Sequence, residues 1–384
     1  MKRSTERILT THVGSLPVPP DLDPTAPDYE ARLRATVADL VRRQAATGID
    51  IVSDGEASKG NWLVYAGGRL GGFEPRRVEA REAIIAQGKD REEFAEFYEE
   101  ATRTGTLFHS SWSQVTRSTW TTHWVATGPI TYTGQVAVQR DIANLQAALA
   151  QVQVVEAFLP VTAPASLEPY RSNAYYPSEA AFLYALADAL KEEYTAIARA
   201  GLLVQIDDAW TVALWDRIGI PMGLEAFKRR ALQRAEVLNH ALADIPEEQI
   251  RYHICWGSWH GPHAYDLPMD EAVDLLLAVK AGAYSFEAAN VRHEHEYHVW
   301  ERVRLPEGKI LIPGVVTHAT NLIEHPELVS ERIQRFARRV GRENVIAGTD
   351  CGFGGRIHPQ LAWAKLGALV EGARRASRAL GYGE

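Results

Sequence analysis

The chain has 384 residues, 46% of them hydrophobic, with a formal charge of −8; this composition can bury a large core, as two small domains or one barrel carrying insertions, and excludes a disordered polymer. The acidic balance gives no whole-chain electrostatic footprint for nucleic acid. No apolar run approaches the ~18 residues of a membrane span, and the opening "MKRSTERILTTHVGSL" has no apolar signal core, so a cytoplasmic protein without membrane contacts is expected.

Taken in chain order, amphipathic stretches repeatedly end at a glycine and run into a short apolar stretch. "ARLRATVADLVRRQAATG" leads to "IDIVSDGE", and "SEAAFLYALADALKEEYTAIARAG" leads to "LLVQIDD". "MDEAVDLLLAVKAG" leads to "AYSFE", and "SERIQRFARRVG" leads to "RENVIAGTDCG". Glycine after a last helical turn takes the left-handed cap at little cost, and Ser178 and Ser330 are placed as N-caps. The alternation is that of helices feeding parallel strands.

Strands are expected to end near Ser15, Glu56, Pro164, Asp207, Cys255, Glu287, His318 and Cys351. Eight such units close a (β/α)8 TIM barrel, whose chemistry sits at the C-terminal strand ends. The stretch from 57 to 154 is too long for one unit and rich in Trp and Tyr ("SSWSQVTRSTWTTHWVATGPITY"), so it is read as an insertion after the second strand that caps the barrel mouth. Residues 1–384 then form one domain with an excursion, and a homo-oligomer is compatible with it.

With only two cysteines, a disulfide framework is not the design, and Cys255 and Cys351 are packing, metal or redox candidates. His253 and Cys255 share one face of a strand because side chains alternate with period two. Alone the pair reads equally as core packing. If strands end at Cys255, Glu287 and Cys351, however, His253, Cys255, Glu287 and Cys351 can meet at the barrel mouth. Two thiolates, an imidazole and a carboxylate suit zinc, and the sulfurs exclude magnesium or calcium.

The ordered motifs "THVGSL", "IVSDGE", "QIDD", "YHICWG", "SFE", "IPGVVTH" and "GTDCG" resemble the catalytic domain of cobalamin-independent methionine synthase and its single-domain relatives. The string "ANVRHEHEYHVWERVRLPEGKILIPGV" looks most like the branch that includes epoxyalkane:coenzyme M transferases. The resemblance implies a zinc held by His253, Cys255, Glu287 and Cys351, a thiol substrate bound by Ser15, Glu56 and Asp207, and a proton donor at His318. Small thiol and alkyl donor are the implied partners, and zinc the implied cofactor, since coordination deprotonates a thiol whose pKa is ordinarily near ~8.5.

The resemblance breaks at the folate contacts. Methionine synthases carry a Glu six residues beyond the "QID" Asp, where this chain has Ala213. They also carry a Trp after the third strand, where it has Tyr170 if that strand is "LPVTAPASLEPY" and Gln135 if it is "ATGPITYTGQ"; the spacing to Asp207 favours Tyr170. Transfer to a thiol from a donor other than polyglutamyl folate is therefore expected, with addition of a thiol to an epoxide as the second chemistry and a non-catalytic zinc protein as the alternative of another class. A metal-dependent hydrolase would show His-x-His on its first strand, where only His12 occurs. The "RHEHEYH" run (His293, Glu294, His295, Glu296, His298) reads as a salt-bridged loop more readily than as a second metal site. Arg356 reads as a surface ion pair or as the receptor of an anionic substrate tail.

Overall fold

The computed structural model describes residues 1–60, 62–79, 83–107 and 120–383. Eight parallel strands form the central sheet: β1 (Leu9–Thr10), β2 (Ile51–Ser53), β5 (Glu156–Thr162), β7 (Leu203–Asp208), β8 (Ile250–Ile254), β9 (Ala283–Phe286), β10 (Ile310–Val316) and β11 (Ile346–Thr349). Their spatial order is β1-β11-β10-β9-β8-β7-β5-β2. The seam between the two end strands is bridged by Asp50 N–H donating to Thr10 O at 3.1 Å and Thr11 Oγ1 donating to Ile51 O at 2.9 Å. The result is the expected (β/α)8 barrel. Its third strand is Glu156–Thr162, from "LPVTAPASLEPY".

Seven helices flank the barrel: α1 (Tyr29–Thr47), α2 (Gln135–Leu149), α3 (Glu179–Arg199), α4 (Leu224–Leu242), α5 (Met269–Ala278), α6 (Pro326–Val340) and α7 (Pro359–Ala379). Each buries one apolar stripe on the sheet, as Leu33, Val37, Leu40 and Val41 do on α1. The connection after β9 is a 3-10 helix, Glu294–Glu301, in place of an eighth α-helix. Gly48, at φ 97°, caps α1 in the left-handed conformation, and Ser178 Oγ accepts Ala181 N–H at the start of α3. Ser330 is a correction: it lies inside α6, buried, and accepts a bond from Gln334 Nε2, while His325 caps that helix through Nδ1. Proline at the first helical position moves the start upstream of the serine.

Between β2 and α2 the chain leaves the barrel. Strands β3 (Leu70–Glu79) and β4 (Trp120–Tyr132) pair antiparallel, and β6 (Arg171–Asn173) joins β4 in parallel. A short helix, Ala95–Thr104, lies in the same excursion. Helix α2, the last part of the 57–154 range, packs between α1 and α3 in the outer ring. Of the aromatic-rich stretch, residues 110–119 lie outside the described residues.

The barrel interior is layered. Leu9, Ile51, Phe158, Leu203, Ala283, Ile310, Ile312 and Ile346 form an apolar plug at the N-terminal end. Higher up, parallel register sets Thr162 beside Asp207, Asp207 beside His253, and His253 beside Ser285. In-register residues of a parallel sheet share a face, so polar groups from four adjacent strands enter the barrel mouth at one level.

Candidate metal and substrate site

The "HICWGSW" segment ends β8 and turns sharply. Cys255 stands one residue past the strand; its sulfur receives Gly257 N–H at 3.3 Å and is hydrogen-bonded to the Ser258 hydroxyl at 2.9 Å. Ser258 adopts φ 57°, a conformation costly for a residue with a Cβ, and that places its hydroxyl against the sulfur. Cys351, two residues past β11, brings its sulfur to 3.8 Å from that of Cys255. This is far beyond the ~2.05 Å of a disulfide and equals the roughly 3.8 Å edge of a tetrahedron with Zn–S bonds of about 2.3 Å.

His253 completes the group: one ligand atom from each of His253, Cys255 and Cys351 lies within 4.8 Å of the others. Its Nδ1 is bonded to Ser285 Oγ at 3.1 Å, whereas its Nε2 is buried without a partner. A buried ring nitrogen left free while its neighbour is engaged is the arrangement of a metal ligand. The donor set therefore fits zinc. Cys351 is drawn well below the usual thiol range by its bond with Cys255, against burial and with help from Arg356, while Cys255 is pushed up.

Glu287, one residue past β9, stands beside this trio rather than within it. Its Oε1 accepts Trp256 N–H at 3.0 Å and lies 3.7 Å from Cys255 Sγ; its Oε2 accepts from Asn290 at 2.7 Å. Burial, with Asp350 close by, raises its pKa to about 8. Asp350 Oδ1 receives Ala288 and Ala289 N–H at 2.7 and 2.8 Å, tying the end of β9 to that of β11.

The trio borders a cavity of about 110 Å³ that Ser15, Glu56 and Asp207 also line. Gly14, at φ 142°, sets the Ser15 turn, and a Cβ there would stand 2.7 Å from Glu56 Oε1. Glu56 is itself left-handed at φ 57°. Its pKa is pushed to about 7, chiefly by burial, and that of Asp207 is pushed well up by burial and by Glu56. Two buried carboxyls thus face one cavity, each raised by burial although Lys59 acts against both shifts. Asp208 and Asp54 are spent on turns: Asp208 accepts Trp210 and Thr211 N–H, and Asp54 accepts Glu56 N–H.

His318, two residues past β10, is buried but does not line the cavity. Burial lowers its pKa to about 3, so it is neutral near pH 7, and its Nδ1 is buried and unpartnered. His12 is fully engaged, with Nε2 on Gln44 Oε1 at 2.7 Å and Nδ1 accepting Gly14 N–H at 3.1 Å. The "RHEHEYH" run forms a bonded loop: His293 bridges Asp266 and Glu296, Glu294 pairs with Arg332 and Arg335, and His298 with Glu301. Tyr170, Trp210 and Trp259 supply aromatic wall, and Ile85 enters from the excursion. Trp256 packs tilted against His293, ring centroids 4.4 Å apart, behind the site.

Ser258, Ser285 and Trp210 were not anticipated as site residues. Ser285 carried a usable signal, since two residues before Glu287 on a neighbouring parallel strand it shares the face of His253. Ser258 carried none, because only the turn geometry brings it to the sulfur.

A parallel barrel with an imidazole and two thiols at its C-terminal mouth, opposite buried carboxyls, is the class of barrel that brings donor atoms able to hold a soft metal beside a small-molecule pocket. The family model for the catalytic domain of cobalamin-independent synthase matches residues 10–159 and 173–375, and the chain belongs to that family. A 5-methyltetrahydropteroyltriglutamate–homocysteine methyltransferase of Nitratidesulfovibrio vulgaris is 25% identical over 95% of this chain and 41% of its own length. The 2-hydroxypropyl-CoM lyase of Xanthobacter autotrophicus is 24% identical over 92% of this chain and 88% of its own. This chain thus spans about two fifths of the methyltransferases it matches and most of the lyase. A B12-independent methionine synthase structure from Shewanella, solved with selenomethionine, shares the fold at a TM-score of 0.72 and 20% identity, covering 97% of this chain and 99% of that one.

Proposed function

We propose that this protein transfers an alkyl group to a small thiol activated at a zinc site formed by His253, Cys255 and Cys351, with Glu287 as the fourth, displaceable ligand. The observation that carries the reading is the joint placement of the His/Cys/Cys trio and the Glu56–Asp207 pair on one cavity. Zinc, when bound, lowers the pKa of a coordinated thiol so that a thiolate is present near neutral pH, without redox chemistry of its own. Glu56 and Asp207 would hold a substrate ammonium, and the Ser15 turn would orient the rest of the thiol. The substrate sulfur then forms a bond to the donor carbon, and the leaving amine or oxygen departs with its electron pair and takes a proton. His318, neutral, with a free ring nitrogen and set back from the cavity, relays that proton through water. The excursion, reaching the cavity through Gly60 and Ile85, acts as a lid that excludes bulk water.

The donor is compact. The cavity is small against the ~300–1,000 Å³ of pockets for drug-sized ligands. Ala213 is buried where synthases use a Glu, and Tyr170 lines the cavity where they use a Trp. Gln135, the other candidate for that place, bonds Tyr132 O and Glu192 on the outer ring. A second reading, opening of an epoxide by a thiol with a proton passed to the alkoxide, is favoured by the nearly full-length match to the Xanthobacter lyase. Either activity belongs in the cytoplasm.

Mass-spectrometric product analysis of zinc-loaded protein, crossing several thiols with methyl-folate, methylcobalamin, methoxyaromatic and epoxide donors, tests this. An S-alkylated thiol that disappears in Cys351→Ser supports it. Turnover only with polyglutamyl methyl-folate contradicts the donor reading, and no product from any pair favours a non-catalytic zinc protein.

A further inference from the structure

Arg171 opens β6 directly after Tyr170 of the cavity wall, yet its own side chain does not line that cavity. A buried guanidinium is costly unless it is paired. Among the buried arginines, Arg69, Arg217, Arg234 and Arg332 each have a carboxylate partner, and Arg251 makes two hydrogen bonds of 3.0 Å. Arg171, only 5% exposed, has no carboxylate partner among the described residues. Its only hydrogen bond there is a long one, Nη1 to Leu167 O at 3.4 Å, and its Nε is buried and unpartnered. Burial draws its pKa down to about 10, and no acidic group opposes the shift.

The guanidinium keeps its edge for a ligand. The centroid of the Phe73 ring lies 5.3 Å away and covers a face, an arrangement that leaves the in-plane N–H donors unspent. Arg171 and Trp124 are in register on β6 and β4, so they share one face of the three-stranded sheet. The short helix Trp62–Gly68 ends against that face in two glycines. A Cβ on Gly67 would stand 3.8 Å from Arg171 Nη2 and 3.9 Å from Trp124 Nε1, and one on Gly68 would meet nothing within 4 Å. Two N–H donors from different strands thus flank a bare glycine floor. The surrounding charge is positive: Arg76 stands opposite His123 on β3 and β4, and after burial it is the charges of Arg171 and Arg76 that lower the pKa of His123.

We propose that Arg171 and Trp124 form a binding site for an oxyanion, a carboxylate or phosphate group, at the junction of the excursion and the barrel. The guanidinium edge donates to two oxygens, the indole N–H donates to the same group, and the glycine floor lets it approach. Such a ligand ties β4, β6 and the helix Trp62–Gly68 together, beside Tyr170 and Gly60 of the cavity wall. The site does not depend on the thiol reading above.

The test is calorimetric titration of the zinc-loaded protein at low ionic strength, where screening is weak, with sodium acetate, inorganic phosphate and, as a neutral control, acetamide. Native protein is expected to bind acetate or phosphate saturably, to ignore acetamide, and to show a higher thermal midpoint with the anion present. Phosphate as the tighter ligand identifies a phosphate group, and acetate a carboxylate. Arg171→Met should weaken binding roughly 10-fold or more. Arg171→Lys should keep part of it, since an ammonium supplies the charge without the fork. Gly67→Leu, which fills the floor and leaves every charge in place, should weaken it as well. Absence of saturable binding by native protein overturns the proposal, and so does binding that survives either Arg171→Met or Gly67→Leu, as uptake at the metal would. Should Arg171→Met fail to fold, Gly67→Leu decides.

Discussion

The two nitrogens of His253 divide their work. Ser285 Oγ engages Nδ1, which fixes the ring and leaves Nε2 directed at the sulfurs. Partners of this kind orient a ligand and tune its basicity, and losing one typically costs about 10- to 100-fold in metal affinity. Ser285→Ala should therefore weaken zinc binding by roughly that factor without unfolding the barrel, measured by competition with a chromophoric chelator. Unchanged affinity would mean that Nε2 is not a ligand. The trio itself was legible because i, i+2 spacing on a strand and a second cysteine at a later strand end restrict the geometry. Glu287 was legible as a fourth candidate ligand. Its separation from the trio depends on bonds to Trp256 N–H and Asn290, which no spacing rule encodes.

At the scale of elements, the excursion is held to the barrel by specific contacts. Tyr98, on the helix Ala95–Thr104, donates its hydroxyl to Asp90 Oδ2 at 2.5 Å and accepts from Trp259 Nε1 at 3.0 Å. Ala264 N–H reaches Asp90 Oδ1 at 2.9 Å, and His260 N–H reaches Leu107 O at 2.8 Å. Tyr98→Phe leaves a buried indole N–H and a carboxylate oxygen short of a partner, a cost of about 1–3 kcal/mol. If the excursion is a lid, that variant should lower thiol affinity as well as the thermal midpoint; a lowered midpoint with native thiol affinity would reduce the contact to a structural role. Most barrel helices were readable from apolar period and terminal glycine. The crossover after β9 was not, because the "RHEHEYH" run makes its bonds as a 3-10 helix through His293 to Asp266 and Glu296 rather than by an apolar stripe.

For the whole molecule, His12 is expected to make the barrel sensitive to acid. Burial lowers its pKa to about 4, and both ring nitrogens are committed to the neutral form. The unfolded chain takes up this proton near pH ~6.5 and the folded one does not. The stabilisation is thus full above that pH and is lost as pH falls from about 6.5 toward 4, by up to about 3 kcal/mol. Urea midpoints across that window should fall, and His12→Asn should flatten the slope; an equally steep slope in the variant would assign the sensitivity elsewhere. The closed eight-stranded arrangement could be read from the count of strand ends. The route of the excursion could not, because β3, β4 and β6 pair with one another across about 100 residues of sequence rather than with near neighbours.

The central claim is that His253, Cys255 and Cys351 hold a zinc with a place for a substrate sulfur. X-ray absorption at the zinc edge, recorded with and without added thiol, tests it most directly. The site described here predicts two sulfur ligands at rest and a third on addition of a substrate thiol, gained at the expense of an oxygen. A shell that stays the same across a panel of thiols would contradict it and identify a closed, structural metal.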